Sequence, residues 1–464
     1  MGKLKCILLI TALCILASCA KEERFSSDGF GPSDMANCFG QGYHGKVFMV
    51  PVPLGTDDTE NIMNTIALAQ SQGPGSVVQF QKGTYHIGFI EIREFEGTIK
   101  GAGKDKTIIK PVPNLSCQNE KHSWTGSLVS FIGGDIQLSD LSFIVDDGDP
   151  CAENYSNPVR NMGRDLYILV KFTDRINDYY VSEDLTVSAT IQNTGFTGGI
   201  NSGGCHALFN VVCGLWFGHD YFMPPGTNPE RTKGYLNVEN CCFSHFSTGL
   251  DLPGMKEGKI IVRNSLFNFS NLLISDNINL QFNIADNKFL NNYDYNMFID
   301  DSDLSRIGRY NNTTPVKRAT YRISGNMFET RPGVTFIRPG GVSIYILDMR
   351  TAIYPDENMP MKFMVENNVF KLHEGATAIV GLNNKDAMIL ANKFSGEGVK
   401  GISLDGENAA YSLNNKILGN NFAMADYETD IYLGQRTKNS LVAGSPIANI
   451  VDEGAGNQIN GKPK

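Results

Sequence analysis

A six-residue pattern recurs along the second half of the chain and constrains its fold more than any other feature. Each copy begins with an aliphatic residue, continues with two or three turn-forming residues, and ends with Phe five positions after the first residue. The seven clear copies end at Phe243, Phe267, Phe289, Phe328, Phe370, Phe394 and Phe422. Five of these seven copies carry Asn two positions before the Phe.

The spacing of the copies predicts a solenoid. Successive Phe residues are 24, 22, 39, 42, 24 and 28 positions apart, which is the range of repeat architectures. Each copy is too short for a helical hairpin and is rich in β-branched and aromatic residues, so we expect three short strands and three turns per coil. We expect the Phe rings to stack inside the coil and the Asn amides to bond along its axis. The two long spacings predict either a long loop in one coil or a coil whose motif has decayed.

The composition agrees with a folded, soluble body. The chain has 464 residues, of which 19% are charged and 41% are hydrophobic, and 48 are Gly. The formal net charge is −9, and no run of Lys and Arg is present. General binding to nucleic acid is therefore not expected, because it requires a basic stripe.

The N-terminus has the features of an export signal. Lys3 and Lys5 precede an apolar run from Cys6 to Ala17, which is too short to span a bilayer. The run ends in Leu-Ala-Ser-Cys at 16–19, which resembles the lipobox of bacterial lipoproteins. This resemblance implies cleavage before Cys19 and acylation of its thiol, and the alternative is ordinary secretory cleavage.

The four residues that follow Cys19 resemble the surface-export tag of Bacteroidetes lipoproteins. We therefore expect a protein that is lipid-anchored at the outer membrane and exposed on the cell surface. The expected organisation is a signal peptide over 1–18, a tether over 19–45 and one domain over 46–464, with irregular loops around 146–235. The only expected contact with the membrane is the lipid anchor.

The repeat resembles the right-handed parallel β-helix of the pectate-lyase-like superfamily. The N-terminal region agrees with this, because Asp57–Thr59 precedes an apolar stripe at Ile62, Ile66 and Ala69 that predicts a helix with the Asp/Thr pair as its N-cap. The glycine-rich segment 97–107 resembles the next turn of many superfamily members. The resemblance implies an all-β, right-handed parallel β-helix with an N-terminal capping helix and long loops.

The resemblance also indicates where a substrate would lie. In enzymes of this fold, substrate usually lies along the outer face of one sheet, and we expect the strand after each Phe to build that sheet. The candidate strands are Leu250–Leu252, Leu272–Ser275, Met297–Asp300, Thr335–Arg338, Ile379–Leu382, Ile402–Asp405 and Ile431–Gly434. Side chains alternate between faces and coils stack at ~4.8 Å, so this alignment places Phe298 beside Phe336 and Asp300 beside Arg338.

Such a face suits a polysaccharide. Aromatic rings stack on the apolar faces of sugars, while charged groups bond hydroxyl or uronate groups. The expected substrate-binding residues are Phe298, Phe336, Tyr432, Asp405 and Arg306. The expected catalytic residues are Asp300, Asp301, Asp251, Arg338 and His245.

Two chemistries remain open for these residues. The three Asp residues could supply the acid and the base or nucleophile of a glycosidase. Alternatively, carboxylates could hold Ca²⁺ while an Arg abstracts a proton in a lyase. The structural alternatives are a turn role for Asp301, a simple ion pair between Asp300 and Arg338, and a structural His245.

Motifs of known enzymes do not decide between these alternatives. The chain has no GxSxG, no HExxH, no P-loop and no CxxC spacing, so no metal site is assigned. It lacks the Gly-His-Gly of polygalacturonases, and Arg338-Pro339 does not match the pectate-lyase element. We expect a polysaccharide lyase or glycoside hydrolase that acts on an acidic or complex glycan as a monomer. The alternative is a non-catalytic glycan-binding or adhesin-like surface protein.

Overall fold

The structure is a computed structural model in which almost every element is a short parallel strand. The described residues are 45–113, 115, 127–147, 168–173, 186–199, 213–218, 233–255, 257–275, 277, 279–292, 295–300, 318–330, 341–348, 361–407, 410–445, 449–460 and 462–463. Cys19, the signal peptide and the tether up to residue 44 lie outside this range. From β2 to β30, successive strands enter three stacks in rotation, which builds a right-handed parallel β-helix as the repeat predicted.

The first stack, sheet 1, has fifteen strands, all parallel except the last pair. Its strands are β1 (Val47–Met49), β2 (Ser76–Gln79), β5 (Glu96–Lys100), β8 (Gly134–Ser139), β11 (Val187–Gln192), β14 (Lys233–Glu239), β17 (Glu257–Arg263), β20 (Leu280–Ala285), β23 (Thr320–Ser324), β26 (Lys362–Glu366), β29 (Met388–Leu390), β32 (Lys416–Leu418), β35 (Leu441–Ala443), β37 (Gln458–Ile459) and β38 (Lys462–Pro463).

The second stack, sheet 2, contains the Phe residues of the repeat. Its strands are β3 (Gly83–Ile87), β6 (Thr107–Pro111), β9 (Ser142–Ile144), β12 (Gly195–Thr197), β15 (Cys242–Ser244), β18 (Leu266–Asn268), β21 (Lys288–Asn292), β24 (Met327–Thr330), β27 (Val369–Leu372) and the first parts of β30 (Lys393–Asp405) and β33 (Asn421–Leu433).

The third stack, sheet 3, follows sheet 2 in every coil. Its strands are β4 (Ile90–Arg93), β7 (Ser127–Ile132), β10 (Ile168–Thr173), β13 (Cys213–Phe217), β16 (Thr248–Pro253), β19 (Asn271–Ser275), β22 (Tyr295–Asp300), β25 (Val342–Leu347), β28 (Thr377–Leu382), the second parts of β30 and β33, and β36 (Ile450–Asp452). A separate two-stranded sheet joins β31 (Ser412–Leu413) to β34 (Thr437–Lys438).

The predicted helix is present at the N-terminal end of the coil. Helix α1 (Thr59–Ser71) buries Ile62, Ile66 and Ala69, because these positions fall on one side of a 3.6-residue period. Part of the expected cap is present, because Oδ1 of Asp57 accepts the backbone N–H of Thr59 at 2.9 Å, whereas no such cap bond is made by Asp58. Its buried carboxylate instead accepts hydrogen bonds from the backbone N–H groups of Leu54 and His86, which tie the helix entry to the first coil. In the described part of the chain, no helix has the length and apolar character needed to cross a membrane.

The Phe residues form the predicted internal stack. Nine buried rings from Phe143 to Phe422 follow one another with centroid separations of 4.2 to 5.7 Å, and Phe243, Phe267 and Phe289 lie in this column at 4.8 and 4.7 Å. Burial of these large side chains is the main stabilising contribution to the coil.

The predicted Asn ladder is also present. It consists of Asn287, Asn326, Asn368, Asn392 and Asn420, which are all buried. In each of the four steps, Nδ2 of one Asn donates to Oδ1 of the next at 3.0 Å, and its backbone N–H donates to the same oxygen. Buried polar groups are stabilising only when they are paired, so the ladder links each coil to the next.

Two features of the coil differ from, or refine, the sequence expectation. Within 146–235, the described strands β10 to β13 pair in register with the coils on both sides, and most of the residues between them, where irregular loops were expected, lie outside the described range. The long spacings at Phe328 and Phe370 each correspond to one coil, so the motif has not decayed. In sequence the additional residues fall between β22 and β23, between β24 and β25, and between β25 and β26.

Candidate functional site

The outer face of sheet 3 carries a continuous row of side chains from successive coils. Leu250 and Leu252 belong to the hydrophobic core, so Asp251 between them points outward. The same register gives one residue per strand from β10 to β33, which we call the outer column. It consists of Lys171, Trp216, Asp251, Leu273, Phe298, Tyr345, Val380, Ser403 and Tyr432.

One end of the outer column is covered and the rest is accessible. Lys171, Trp216 and Asp251 are 3%, 7% and 7% exposed, although the side chains that flank them along each strand face the core. From Leu273 onward the column is partly exposed, except at Tyr345, which is buried. Asp251 therefore lies at the boundary between the covered and the accessible part of the face.

Asp251 has the most unusual protonation of the acidic residues in the described structure. Burial raises its pKa to about 8, and a hydrogen bond from the backbone N–H of Leu252 opposes this rise only in part. Its Oδ1 has no hydrogen-bond partner among the described residues. At neutral pH the side chain is therefore mostly a neutral carboxylic acid, which can donate a proton.

Cys213 lies on the covered side of Asp251. It is buried, pairs in register with Thr248 at the start of β16, and forms a small apolar cluster with Ile168 and Trp216. Burial, followed by the charge of Asp251, raises the pKa of the Cys213 thiol well above its ordinary value. The thiol is therefore protonated, and it contributes apolar volume that keeps water away from Asp251.

Three aromatic rings form a platform on the accessible part of the face. Phe298 and Tyr345 are adjacent in the outer column and stack with centroids 5.2 Å apart and planes 12° apart. Tyr295 lies three residues before Phe298 in β22 and completes the group. Its ring centroid is 4.9 Å from that of Phe298 and 5.4 Å from that of Tyr345. We call Tyr295, Phe298 and Tyr345 the aromatic platform.

The platform corrects one sequence prediction. Thr335–Arg338 was expected to be the strand beside β22, but the strand in that place is β25, and the residues paired with β22 are nine positions further along the chain than expected. The residue beside Phe298 is therefore Tyr345 rather than Phe336, and the residue beside Asp300 is Leu347 rather than Arg338. The Phe spacing could not reveal this, because the additional residues after β24 shift the strand without changing the internal stack.

Asp300 points outward on the same face as Asp251, as the register predicted. It lies two residues beyond Phe298 in β22, and Met297 and Ile299, on either side of Phe298, belong to the core. Two strand spacings and two residues along the strand separate it from Asp251, so their Cα atoms are roughly 12 Å apart. The two carboxyl groups share a face but do not form a close pair.

Tyr432 and Asp405 lie near the C-terminal end of this face. Tyr432 ends the outer column, its hydroxyl donates to Oε2 of Glu453 at 3.0 Å, and Nζ of Lys400 lies 3.8 Å from its ring centroid. Oδ1 of Asp405 accepts the backbone N–H groups of Gly406 at 2.8 Å and Arg436 at 3.1 Å. The structure therefore gives Asp405 a role in the turn after the strand.

His245 does not join this face. It lies at the corner after β15 with φ of +62°, and its ring stacks on Phe269 at 5.3 Å. Its Nδ1 is 2.9 Å from Oγ of Ser244, and burial lowers the pKa of the imidazole. His245 is therefore mostly neutral at pH 7 and occupies a different edge of the coil from the outer column.

The remaining predicted residues lie outside the described range. These are Asp301, Arg306, Phe336 and Arg338, together with the lipidation site Cys19. Among the described residues, no three His, Cys, Asp or Glu side chains form a group that could hold a metal ion.

Three residues of the site were missed by sequence reasoning. Lys171, Trp216 and Tyr345 are in the outer column, but their strands do not follow a copy of the Phe pattern at the usual distance. The available signals were the run Val342–Leu347, which is rich in β-branched residues, and the short apolar run Cys213–Phe217, which both predict buried strands.

The chain matches no known protein family in sequence, and no curated protein matches it. Solved structures of low identity align with it. The Dettilon tailspike protein is 13% identical, with 93% of this chain and 71% of that chain covered and a TM-score of 0.46. A mutant of DFA-IIIase from Arthrobacter chlorophenolicus A6 is 12% identical, with coverage of 90% and 99% and a TM-score of 0.47. The family 28 exopolygalacturonase of Yersinia enterocolitica is 10% identical, with coverage of 90% and 79% and a TM-score of 0.42.

These alignments concern the path of the chain and not its chemistry. The strand order, the parallel register and the internal Phe stack are properties of this molecule itself. On that evidence the chain is a right-handed parallel β-helix protein.

Proposed function

We propose that this protein is a carbohydrate-active enzyme that binds a glycan along the outer face of sheet 3 and uses Asp251 as a proton donor. One observation carries the proposal. A single outward column holds a carboxyl group with a pKa of about 8 and, two strands away, a pair of stacked aromatic rings. Perturbed carboxyl groups on a substrate-sized face are typical of active sites.

The two features complement each other chemically. The partly exposed rings of Phe298 and Tyr295, backed by buried Tyr345, offer flat apolar surface for the CH face of a sugar ring. Asp251 lies about 10 Å away, measured as two strand spacings, so a sugar bound on the platform has its neighbour in the chain close to the acid. A protonated carboxyl group there can donate to the oxygen of the bond that breaks.

The separation of Asp251 and Asp300 restricts the mechanism. In retaining glycosidases the two carboxyl groups are about 5 Å apart, and in inverting enzymes they are about 6.5 to 9.5 Å apart to admit a water molecule. Cα atoms roughly 12 Å apart suit the wider arrangement once the side chains lean together. We therefore favour inverting hydrolysis, with Asp300 as the base, over a retaining mechanism. Elimination by a lyase is the alternative reaction.

The test is a panel of acidic and neutral polysaccharides incubated with the wild-type protein, Asp251→Asn and Asp300→Asn. New reducing ends without unsaturated products indicate a hydrolase, and unsaturated ends indicate a lyase. We expect Asp251→Asn to lower kcat by about 100-fold or more, because a general acid contributes 10²–10⁴-fold. Asp105→Asn, at an exposed turn far from the face, is the matched control. Unchanged activity in folded Asp251→Asn would refute the proposed role.

A glycan-binding protein without catalysis is the second candidate. It is favoured by the observation that the neighbours of Asp251 in the outer column are Trp216 and Leu273, neither of which titrates. If no glycan is cleaved but some retard the protein in an affinity gel, and Phe298→Ala abolishes that retardation, then the face binds without catalysing.

We also propose that the protein is anchored to the outer membrane through an acylated Cys19. The support is the lipobox-like sequence at 16–19. Expression with a radiolabelled fatty acid tests this, because the label should enter the wild-type chain and not Cys19→Ser. Labelling of both chains would contradict the assignment of Cys19.

A further inference from the structure

The first strand of sheet 1 has an open edge. β1 pairs with β2 on one side, where the Lys46 carbonyl accepts from Val77 N–H and Val50 N–H donates to the Gln79 carbonyl. Backbone groups alternate in direction along a strand, so the N–H and C=O groups of Val47 and Met49 point away from β2. Within the described residues these four groups meet no other strand.

The opposite edge of the same sheet is protected. There the chain ends sheet 1 with the antiparallel pair β37–β38, and the last strand is Lys462–Pro463. Lys is a charged edge residue and Pro has no backbone N–H, and natural proteins use both to prevent strand addition. No Lys or Pro lies within β1, whose sequence is Val-Phe-Met.

The open edge is surrounded by exposed apolar side chains. Nine large hydrophobic side chains are exposed in the described structure, and five of them lie at this end of the coil. They are Val47 at 58%, Met49 at 53%, Val52 at 61%, Leu54 at 63% and Leu68 at 58% exposure. Concentrated apolar exposure of this kind marks an interaction surface, whereas single exposed residues do not.

We propose that β1 pairs with β1 of a second copy of this chain, antiparallel and about a two-fold axis at Phe48. This pairing places Val47 opposite Met49 of the partner subunit, and the outward groups of both residues then form four backbone hydrogen bonds. The side chains of Val47 and Met49 lie on the outward face while Phe48 packs against the core, so each apolar side chain gains an apolar neighbour.

The occupant is a second copy rather than a lipid surface, because lipid cannot satisfy the four backbone groups. The contact is isologous and therefore closes as a dimer, and the protected C-terminal edge prevents growth into a fibre. A dimer formed in this way differs from the monomer expected from the sequence. It leaves the outer face of sheet 3 outside the contact, so it does not depend on the proposed enzymatic function.

The experiment uses the chain after the expected cleavage site with Cys19→Ser, so that no acyl group contributes to association. Sedimentation velocity should show a dimer with a dissociation constant of about 100 µM or lower. Val47→Lys/Met49→Lys places like charges opposite each other and should weaken the dimer by at least about tenfold. Met424→Lys is the matched control, because Met424 is 80% exposed and lies in β33.

A cross-link keeps the proposal testable if the double Lys variant folds poorly. Residues opposite each other in a hydrogen-bonded antiparallel pair have Cα atoms about 5.5 Å apart, which suits a disulfide. Val47→Cys/Met49→Cys should therefore oxidise to a covalent dimer, whereas Met424→Cys should not. A monomeric wild-type chain, a dimer that tolerates the Lys pair, or no excess of cross-link over the control would each overturn the proposal. Association only in the presence of phosphatidylcholine vesicles would overturn it in favour of a lipid surface.

Discussion

Asn326 donates from Nδ2 to Oδ1 of Asn368 at 3.0 Å, although 42 positions separate the two residues in sequence. The same oxygen accepts the backbone N–H of Asn326 at 2.9 Å, and Nδ2 of Asn368 continues the ladder to Asn392 at 3.0 Å. Each amide therefore satisfies the turn of one coil and holds the turn of the next.

Removal of one amide from the middle of this ladder should strongly destabilise the fold. Asn368→Ala leaves the two donors of Asn326 and the carbonyl of Ile323 without their present partners in a buried place. Buried unpaired groups cost about 1–3 kcal/mol each, so we expect the free energy of unfolding to fall by about 3 kcal/mol or more. Urea denaturation followed by circular dichroism measures this change. Asn64→Ala, at an exposed position of α1, should change it by less than about 0.5 kcal/mol. Equal effects at the two positions would contradict a structural ladder.

The stability of the protein should depend on pH through Asp251. Its pKa of about 8 in the folded state exceeds the value of about 3.9 in an unfolded chain, so the folded state binds more protons between these limits. The stabilisation that this group contributes is therefore fully present below pH ~4 and is lost as pH rises through ~8. The free energy of unfolding changes by up to about 1.4 kcal/mol per pH unit from this group.

Unfolding of the wild-type protein and Asp251→Asn at pH 5, 7 and 9 isolates this contribution. The variant should lack the fall in the free energy of unfolding that Asp251 causes as pH rises. Its stability relative to wild type should therefore increase with pH. Asp105→Asn should follow the wild-type curve, because Asp105 is exposed. A difference between wild type and Asp251→Asn that is constant over this range would exclude a raised pKa.

The same ionisation should limit catalysis. If Asp251 donates the proton, kcat/KM on the cleaved glycan should fall about tenfold per pH unit above pH ~8, because the acid form disappears. Asp300→Asn should lower the rate but keep this alkaline limb, since it leaves Asp251 in place. An alkaline limb that persists in Asp251→Asn would assign it to another group.

The aromatic platform should control glycan affinity. Tyr345→Ala removes one of two rings stacked at 5.2 Å and should weaken retention of the preferred glycan in an affinity gel by about tenfold, consistent with ~1–2 kcal/mol from ring contacts. Tyr235→Ala is the control, because Tyr235 is 39% exposed on sheet 1. Equal loss of retention in both variants would show that the platform has no special role.

A buried ion pair at the corner after β25 gives a stability prediction of a different kind. Nη2 of Arg318 lies 3.0 Å from Oδ1 of Asp348, and the two side chains are 3% and 0% exposed. Asp348→Asn leaves a buried cation without its charge partner and should cost about 3–5 kcal/mol in the free energy of unfolding. Glu366→Gln breaks the pair with Arg322, whose side chain is 63% exposed, and should cost less than about 1 kcal/mol. Denaturant unfolding of the two variants in parallel compares these costs, and similar losses would contradict the assignment.

The repeated part of the fold was predictable because it is periodic. The Phe at the end of each copy faces the same interior in every coil, and the Asn two positions earlier does so in five of them, so their spacing in sequence reports the coil length directly. The outward direction of Asp251 and Phe298 followed from the same register, because the aliphatic residues beside them had to face the core.

The site itself was less predictable, because its residues do not repeat. Tyr345 was missed since residues inserted after β24 displaced its strand from the expected position. The burial that raises the pKa of Asp251 arises from contacts across coils, next to Trp216 and Cys213, and no local sequence pattern records it. Asp405, the last residue of β30, was predicted by register to point outward toward substrate. Its side chain accepts hydrogen bonds from the backbone of the following turn, which the register alone does not predict.

The internal stack of Phe rings gains one ring per coil, whatever the number of residues in that coil. Phe289 stacks on Phe328 and Phe328 on Phe370 at 4.9 and 5.0 Å, even though 39 and 42 positions intervene instead of the shorter spacings found elsewhere. Segments of very different length can thus be inserted at the rim without disturbing the register on either side. Evolution can exchange such segments around the same outer face, and a scaffold of this type can acquire a new specificity while its interior stays constant.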